Sequence, residues 1–189
     1  MLNFIPRLKN LTAALVFALA LAAGAAPAVP VAPARSGEQL NFSLRTTEGG
    51  AITSQMLRGD VVVLAFGASW LPLSREQVKG VQELADRYAD RDLRVYWVST
   101  DSDSPKSKNY ASDEQLRDFA RKNKLKIAVL RDPDGALFKR VGVRGNQLPA
   151  VIILDREGSV HGEPIAGIDP KGGLAGQLSG TLNGLLGAQ

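Results

Sequence analysis

The stretch VVVLAFGASWLPLSREQV, residues 61–78, decides the fold class of this chain. Its first part, VVVLAF, is a continuous apolar run, which is typical of a strand that is covered on both faces of a sheet. From Pro72 the period changes, and apolar residues recur at three- and four-residue steps with charged residues between them. These residues are Val78, Val81, Leu84, Ala85 and Tyr88. The spacing predicts an amphipathic helix over residues 72–89, with proline in its first turn.

Further elements follow on both sides of this stretch. The mostly apolar run LRVYWVS, residues 93–99, completes a parallel strand–helix–strand unit. The remaining predictions are a hairpin around Gly49-Gly50, a helix opened by the capping box of Ser112 and Gln115, a strand at 126–130, a short helix at 136–141, a hairpin with strands at 150–154 and around Val160, and a last helix that starts at Asp169-Pro170. This order predicts an α/β protein, a three-layer α/β/α sandwich with a central mixed sheet.

Composition excludes several kinds of site. The chain has 189 residues and no cysteine, so it cannot exchange disulfides, use a thiolate nucleophile or hold a metal by thiolates. Its one histidine, His161, leaves no histidine cluster for zinc. The 23 basic and 19 acidic residues are too balanced to indicate nucleic-acid binding. We therefore expect no metal, no cofactor and no nucleic-acid partner.

The N-terminus is typical of an exported protein. Arg7 and Lys9 precede an apolar stretch, residues 11–26, that contains the small-residue pattern Ala23-Gly24-Ala25. We interpret residues 1–26 as a signal peptide, residues 27–38 as a linker and residues 39–187 as the folded domain. The alternative is an uncleaved membrane anchor, which the short apolar stretch disfavours. The predicted location is therefore periplasmic or extracellular, with membrane contact only if the leader is retained.

Two segments resemble a known family. RGDVVVLAFGASWLPLSREQV, residues 58–78, is similar to the segment of TlpA/ResA-type thioredoxin-fold proteins in which an apolar strand leads to Trp-Cys-Pro-x-Cys-Arg at a helix start. DPDGALFKRVGVRGNQLPAVIILDREGSV, residues 132–160, resembles the later half of the same fold. The resemblance spans about residues 39–186, and it implies a thioredoxin-like domain with an N-terminal hairpin. It also identifies the helix and strand at 112–130 as the insertion of this branch.

The residues at the family's reactive motif differ where its chemistry takes place. Trp70 and Pro72 match the tryptophan and the internal proline, but Leu71 and Ser74 stand where the two cysteines would be. The family's reaction needs a thiolate at the helix N-terminus and a second thiol one turn later. A serine without a neighbouring base is not a nucleophile. We therefore expect no catalytic residue, and we expect Ser74 to be a polar residue of the first helical turn.

The resemblance also places two residues outside the motif. Pro149 falls where the family has a cis proline that faces the motif across a groove, and Ala65 stands where thioredoxin has a buried carboxylate. The expected groove for a protein or peptide partner consists of Trp70, Leu71, Pro72, Leu73, Ser74, Leu148 and Pro149. Two roles stay open for Trp70, which either lines the groove or covers the core.

Three functions remain. The first is a redox-inactive domain that binds a protein or peptide of the cell envelope through this groove. The second is a thiol-disulfide oxidoreductase or antioxidant-family protein that acts with thiols supplied by its partner. The third is a structural module that packs on another subunit. Asp101, Asp103 and Asp113 lack the spacing of a calcium loop, and we interpret them as solvated loop charges.

Overall fold

A computed structural model of the chain describes residues 34–169 and 171–187. The predicted signal peptide and most of the predicted linker lie outside the described residues. The last part of that linker, residues 34–38, packs on the domain. Ala34 is buried and its N–H donates to the C=O of Arg140, while the N–H of Gly37 donates to the C=O of Val160 at 2.8 Å. The folded domain therefore begins before Gln39.

The centre of the domain is a seven-stranded mixed sheet in the order β2-β1-β5-β4-β3-β6-β7. The strands are β1 Ser43–Thr46, β2 Ala51–Thr53, β3 Val61–Gly67, β4 Leu93–Ser99, β5 Val129–Arg131, β6 Ala150–Leu154 and β7 Val160–Ala166. Strands β3, β4 and β5 are parallel, and the other neighbours are antiparallel. All seven residues of β3 are buried, as the apolar run predicts.

Four α-helices cover the two faces of this sheet. They are α1 Pro72–Arg87, α2 Asp113–Lys122, α3 Ala136–Arg140 and α4 Gly173–Leu186, with short 3-10 turns at Ser54–Leu57 and Arg144–Asn146. Alternate residues of β3 point to opposite faces, so that Val63 joins a core with α1, α2 and α4, whereas Leu64 joins a second core with α3. This is the predicted three-layer α/β/α sandwich. No helix within the described residues is long and apolar enough to cross a bilayer.

Two element boundaries differ from the prediction. Strand β5 occupies Val129–Arg131, later than predicted. Helix α4 begins at Gly173 instead of Asp169. The Asp169 carboxylate accepts the N–H of Lys171 at 2.9 Å and its C=O accepts the N–H of Gly173, so a turn precedes the helix. Gly173 itself has a φ of 61°, in the left-handed region that favours glycine.

Helices α1 and α4 approach closely at Gly80. A Cβ at this position would lie 2.6 Å from the Cβ of Leu174 on α4, which is too close for two carbon atoms. At the C-terminal end of α1, Tyr88 donates its hydroxyl to Asn183 of α4 at 2.9 Å. The two contacts together hold α1, and hence the loop that precedes it, against α4.

Candidate functional site

The loop between β3 and α1 presents its apolar side chains to solvent. Trp70 is 58% exposed and Leu73 is 50% exposed. The exposure of Trp70 argues against the core-covering role, one of the two left open for it. Leu71 is half-buried, and its N–H closes a turn by donating to the C=O of Ala68 at 3.0 Å. Helix α1 begins directly afterwards at Pro72, with no side chain capping its first turn.

Ser74 belongs to the interior of the domain. Its side chain is completely buried, and its hydroxyl oxygen accepts the N–H of Ala68 at 3.0 Å. The hydroxyl thus holds the loop against the first turn of α1. His161 lies exposed on β7 opposite Ile153 and makes no hydrogen bond to Ser74. The arrangement supplies no base to Ser74, and the role it supports is structural.

Pro149 lies next to this loop because of the strand register. The Leu148–Pro149 peptide bond is cis, the conformation that the resemblance implies. In the antiparallel pairing of β3 with β6, Phe66 is opposite Ala150, so Pro149 comes beside the end of β3 from which the Trp70 loop departs. The structure therefore places residues 148–149 next to the segment 68–74, the proximity that the resemblance implies.

Gln77 is a site residue that sequence reasoning missed. It is completely buried on α1, where its side-chain amide donates to the C=O of Ala150 at 3.1 Å and its carbonyl accepts the indole N–H of Trp97 at 3.0 Å. It therefore joins the helix to β4 and to the strand that follows Pro149. The signal was present in the sequence, because Gln77 and Ser74 are three residues apart and fall on the inward face of an amphipathic helix.

Gly67 completes this buried polar junction. A Cβ at Gly67 would lie 2.8 Å from the side-chain carbonyl of Gln77, from the hydroxyl of Ser74 and from the indole nitrogen of Trp97. Only glycine leaves room for the three polar groups at the end of β3. Ala65, at the position of the family's buried carboxylate, is fully buried between Trp97 and Val151 of the neighbouring strands and brings no charge to the site.

A buried carboxylate fixes the start of the loop. Asp101 is 1% exposed and accepts three hydrogen bonds, from the N–H of Ser69 at 2.8 Å, the hydroxyl of Ser69 at 2.9 Å and the hydroxyl of Ser99 at 2.7 Å. The interpretation of Asp101 as a solvated loop charge is thus wrong. Arg131 reinforces the arrangement by donating to the C=O of Asp101 at 3.2 Å. The residue immediately before Trp70 is therefore held by both its backbone and its side chain.

Leu148, directly before the cis proline, offers unpaired backbone. Leu148 is half-buried, and neither its N–H nor its C=O has a hydrogen-bond partner among residues 34–169 and 171–187. The next carbonyl, that of Pro149, accepts the N–H of Gly167 at 2.8 Å and is therefore occupied. A free donor and acceptor on one residue can pair with one residue of an extended chain.

Comparisons with known proteins identify the same fold and family. The model of the AhpC/TSA family matches residues 37–162, more than half of the chain. The chain is 25% identical over 123 residues to the thiol-disulfide oxidoreductase ResA of Bacillus thuringiensis, a match that covers 65% of each protein. The chain therefore spans just under two thirds of the length of that relative. It is 29% identical over 128 residues to the thioredoxin-like protein YneN of Bacillus subtilis, covering 67% of the chain and 69% of YneN.

Solved structures extend the comparison to nearly the whole domain. A protein assigned as the thiol:disulfide interchange protein DsbE of Chlorobium tepidum superposes with a TM-score of 0.68 at 22% identity, covering 82% of this chain and 99% of that one. The exposed lipoprotein thioredoxin Etrx1 of Streptococcus pneumoniae superposes with a TM-score of 0.58 at 26% identity, covering 75% and 99%. These matches confirm the thioredoxin-like fold and the resemblance to ResA-type proteins.

Proposed function

We propose that this chain, which belongs to the AhpC/TSA family, holds an extended segment of a partner protein in the groove between Trp70 and Pro149 and exchanges no disulfide with it. One observation carries the proposal. The loop, the helix and the cis proline are all present, but Leu71 and Ser74 stand at the positions of the two cysteines, and the 189 residues contain no cysteine at all.

The loss of sulfur removes the chemistry of disulfide exchange. Exchange proceeds by attack of a thiolate on a disulfide sulfur and passes through a mixed disulfide. A leucine side chain has no atom that can form this bond. The Ser74 hydroxyl is buried against the loop backbone, and an electropositive helix N-terminus contributes only about 0.3–1 kcal/mol, too little to ionise an alcohol near neutral pH.

Binding, in contrast, needs only the groove that remains. The free N–H and C=O of Leu148 can form two hydrogen bonds with an extended chain, each with a net worth of about 0.5–1.5 kcal/mol. Covering the exposed 58% of Trp70 removes roughly 100 Å² of mostly apolar surface from water, which is worth about 3 kcal/mol. The sum, reduced by the cost of ordering the partner, favours a moderate affinity.

We place this activity outside the cytoplasm, in the periplasm or the extracellular space. The support is the pattern of residues 1–26, which is typical of a signal peptide, and the description of the similar Streptococcus pneumoniae protein as an exposed lipoprotein. The partner would then be a protein or peptide of the cell envelope. Fractionation of the producing cells tests the location directly, and recovery of the chain in the cytoplasm would contradict it.

The binding proposal is tested by crosslinking in the native envelope followed by mass spectrometry. The double variant Trp70→Ala, Leu148→Asp should lose the partners captured by the wild-type chain, because it removes the exposed indole and puts a charge into the groove. The matched control is Met56→Ala, since Met56 is 63% exposed but lies on the 3-10 turn after β2. If the double variant captures the same partners as wild type, the groove proposal is wrong.

The alternative function is an oxidoreductase that uses thiols supplied by its partner. It is distinguished by insulin reduction with the purified domain in the presence of a small dithiol. The binding proposal expects the same rate as with heat-denatured protein. Any turnover above that control would overturn the proposal that the chain exchanges no disulfide.

A further inference from the structure

A second concave surface lies on the face of the sheet that carries α3. It is a cleft of about 790 Å³ between the start of β1 and helix α3, lined by residues 41–45, 131–134, 136, 137, 139 and 140. None of these residues belongs to the groove at Trp70 and Pro149. Small-molecule sites commonly have volumes of about 300–1,000 Å³, so the cleft is large enough for a ligand.

The deeper part of the cleft is apolar. Leu44 of β1 and Leu137 of α3 are buried members of the core below it, and Phe42 is half-buried beside them. A hydrocarbon chain lying on these three side chains would remove its own surface and part of theirs from water. The lining thus favours a ligand with an apolar segment.

Cations surround this apolar floor. Arg45, Arg131, Lys139 and Arg140 line the cleft. The first two share the carboxylate of Asp113. Lys139 and Arg140 have no carboxylate partner among the described residues, since Lys139 donates to the C=O of Asp134 and Arg140 to the C=O of Asn41. Two consecutive residues of α3 therefore bring positive charges without a carboxylate partner to the lining of the cleft.

The acidic residues of the lining are already engaged. Asp132 accepts two backbone N–H groups at the start of α3, at 3.1 and 2.8 Å, and Asp134 accepts a third at 3.1 Å. Burial raises the pKa of the Asp132 carboxyl above its usual range, since desolvation penalises its charge. The acids cap the helix, and the cations remain available to an anion.

Arg131 gives an independent sign of an incomplete polar arrangement. It is 2% exposed, and its two terminal nitrogens donate to the C=O of Ala111, the C=O of Asp101 and the carboxylate of Asp113. Its Nε–H is buried and has no acceptor. Buried donors are almost always satisfied, so this Nε–H is an unusual unpaired donor in a residue of the cleft lining, and it adds to the positive character of that lining.

We infer that the cleft binds a single-chain amphiphilic carboxylate, such as a free fatty acid. Its acyl chain would lie on Phe42, Leu44 and Leu137, and its carboxylate would bind Lys139 and Arg140. The guanidinium fork suits a carboxylate, and the ammonium adds a second charge-assisted bond. A free acid fits better than a membrane surface, because the apolar residues lie inside a cleft and an acyl chain must leave the bilayer to reach them.

The test is a titration of the isotopically labelled full chain with decanoate below its micelle concentration, followed by amide NMR. We expect saturable shifts at residues 41–45 and 136–140. Decanol and acetate, which each lack one half of the ligand, should bind at least about ten-fold more weakly. Shifts confined to the Trp70 loop, equal binding of decanol, or association only with phosphatidylglycerol vesicles would each overturn the inference.

Two variants locate the contacts. Lys139→Gln with Arg140→Gln should weaken decanoate binding about ten-fold or more, whereas Lys79→Gln with Arg87→Gln, an equal loss of charge on α1, should not change it. Phe42→Ala keeps every charge and should also weaken binding. Thermal melts establish that the variants are folded, and unchanged affinity in folded charge and Phe42 variants would sink the assignment.

Discussion

The carboxylate of Asp101 holds the loop that presents Trp70, and its removal should destabilise both the loop and the fold. In Asp101→Ala, the buried N–H of Ser69 loses its acceptor, and the hydroxyls of Ser69 and Ser99 lose theirs. The hydroxyls can rotate toward other acceptors, but the N–H cannot. An orphaned buried donor costs about 1–3 kcal/mol, and a hydrogen bond to a charged group contributes about 1.5–3 kcal/mol. We expect the free energy of unfolding to fall by about 3–4 kcal/mol.

Asp101→Asn tests the contribution of the negative charge alone, because asparagine has nearly the same shape as aspartate. The amide carbonyl can replace the carboxylate oxygen that accepts both the N–H of Ser69 and the hydroxyl of Ser99. The amide nitrogen then faces the hydroxyl of Ser69, which can accept from it. Only the charge assistance is lost, so we expect about half the effect of the alanine variant.

Urea denaturation followed by circular dichroism measures the stability, and amide hydrogen exchange at residues 69–71 measures the loop. Exchange should accelerate in the order wild type, Asp101→Asn, Asp101→Ala. Asp103→Ala is the matched control, because Asp103 is exposed on the same segment and should change stability by less than about 0.5 kcal/mol. A loss below about 1 kcal/mol in Asp101→Ala, or an equal loss in the control, would refute the assigned role.

Three other predictions concern the helices and the motif. Gly80→Ala should destabilise the domain by about 1–3 kcal/mol in urea, because its Cβ would lie 2.6 Å from a side-chain atom of α4, whereas Gly176→Ala, with no atom within 4 Å, should be neutral or stabilising. Asp132 has a raised pKa, mainly from burial, so its native state retains a proton that the unfolded chain releases, and stability is lost as pH rises. The stability of wild type relative to Asp132→Asn should therefore fall as pH rises above the usual aspartate pKa of about 4, and a flat difference would contradict this. Leu71→Cys with Ser74→Cys should form a disulfide and gain insulin reductase activity, while either single variant should not, and a folded double variant without a disulfide would show that the loop no longer has the family geometry.

The fold could be predicted because its signals are local and redundant. The buried run of β3, the helical period after Pro72 and the capping box at Ser112 each depend on a few neighbouring residues. Helix α4 was placed too early because Asp169-Pro170 has the chemistry of a helix start. In the structure, Asp169 instead closes a turn, and sequence chemistry alone does not separate these two uses of an aspartate side chain.

The candidate site could be predicted only as far as the family motif extends. The cis conformation of Pro149 and its place beside the end of β3 could be predicted because the motif implies both, whereas the binding role of Trp70 and Pro149 stays a prediction. Asp101 and Gln77 were missed because a polar residue in a loop or on a helix is usually solvated, and all of their partners except Ser99 lie 20 or more residues away in sequence. The inward position of Gln77 can be read from the helical spacing, but the partners that satisfy a buried polar group follow from tertiary contacts, which a local pattern does not contain.

These two residues also hold the Trp70 loop in place in a chain without cysteines. Asp101 fixes Ser69 from below the loop, and Gln77 ties α1 to Trp97 and to the strand after Pro149. None of these groups takes part in thiol–disulfide exchange. In a relative with a dithiol motif, reduction breaks a covalent link within the loop itself. In this chain the same loop is held by hydrogen bonds alone, so its shape is independent of the redox conditions, and the proposed groove would offer its partner one constant surface.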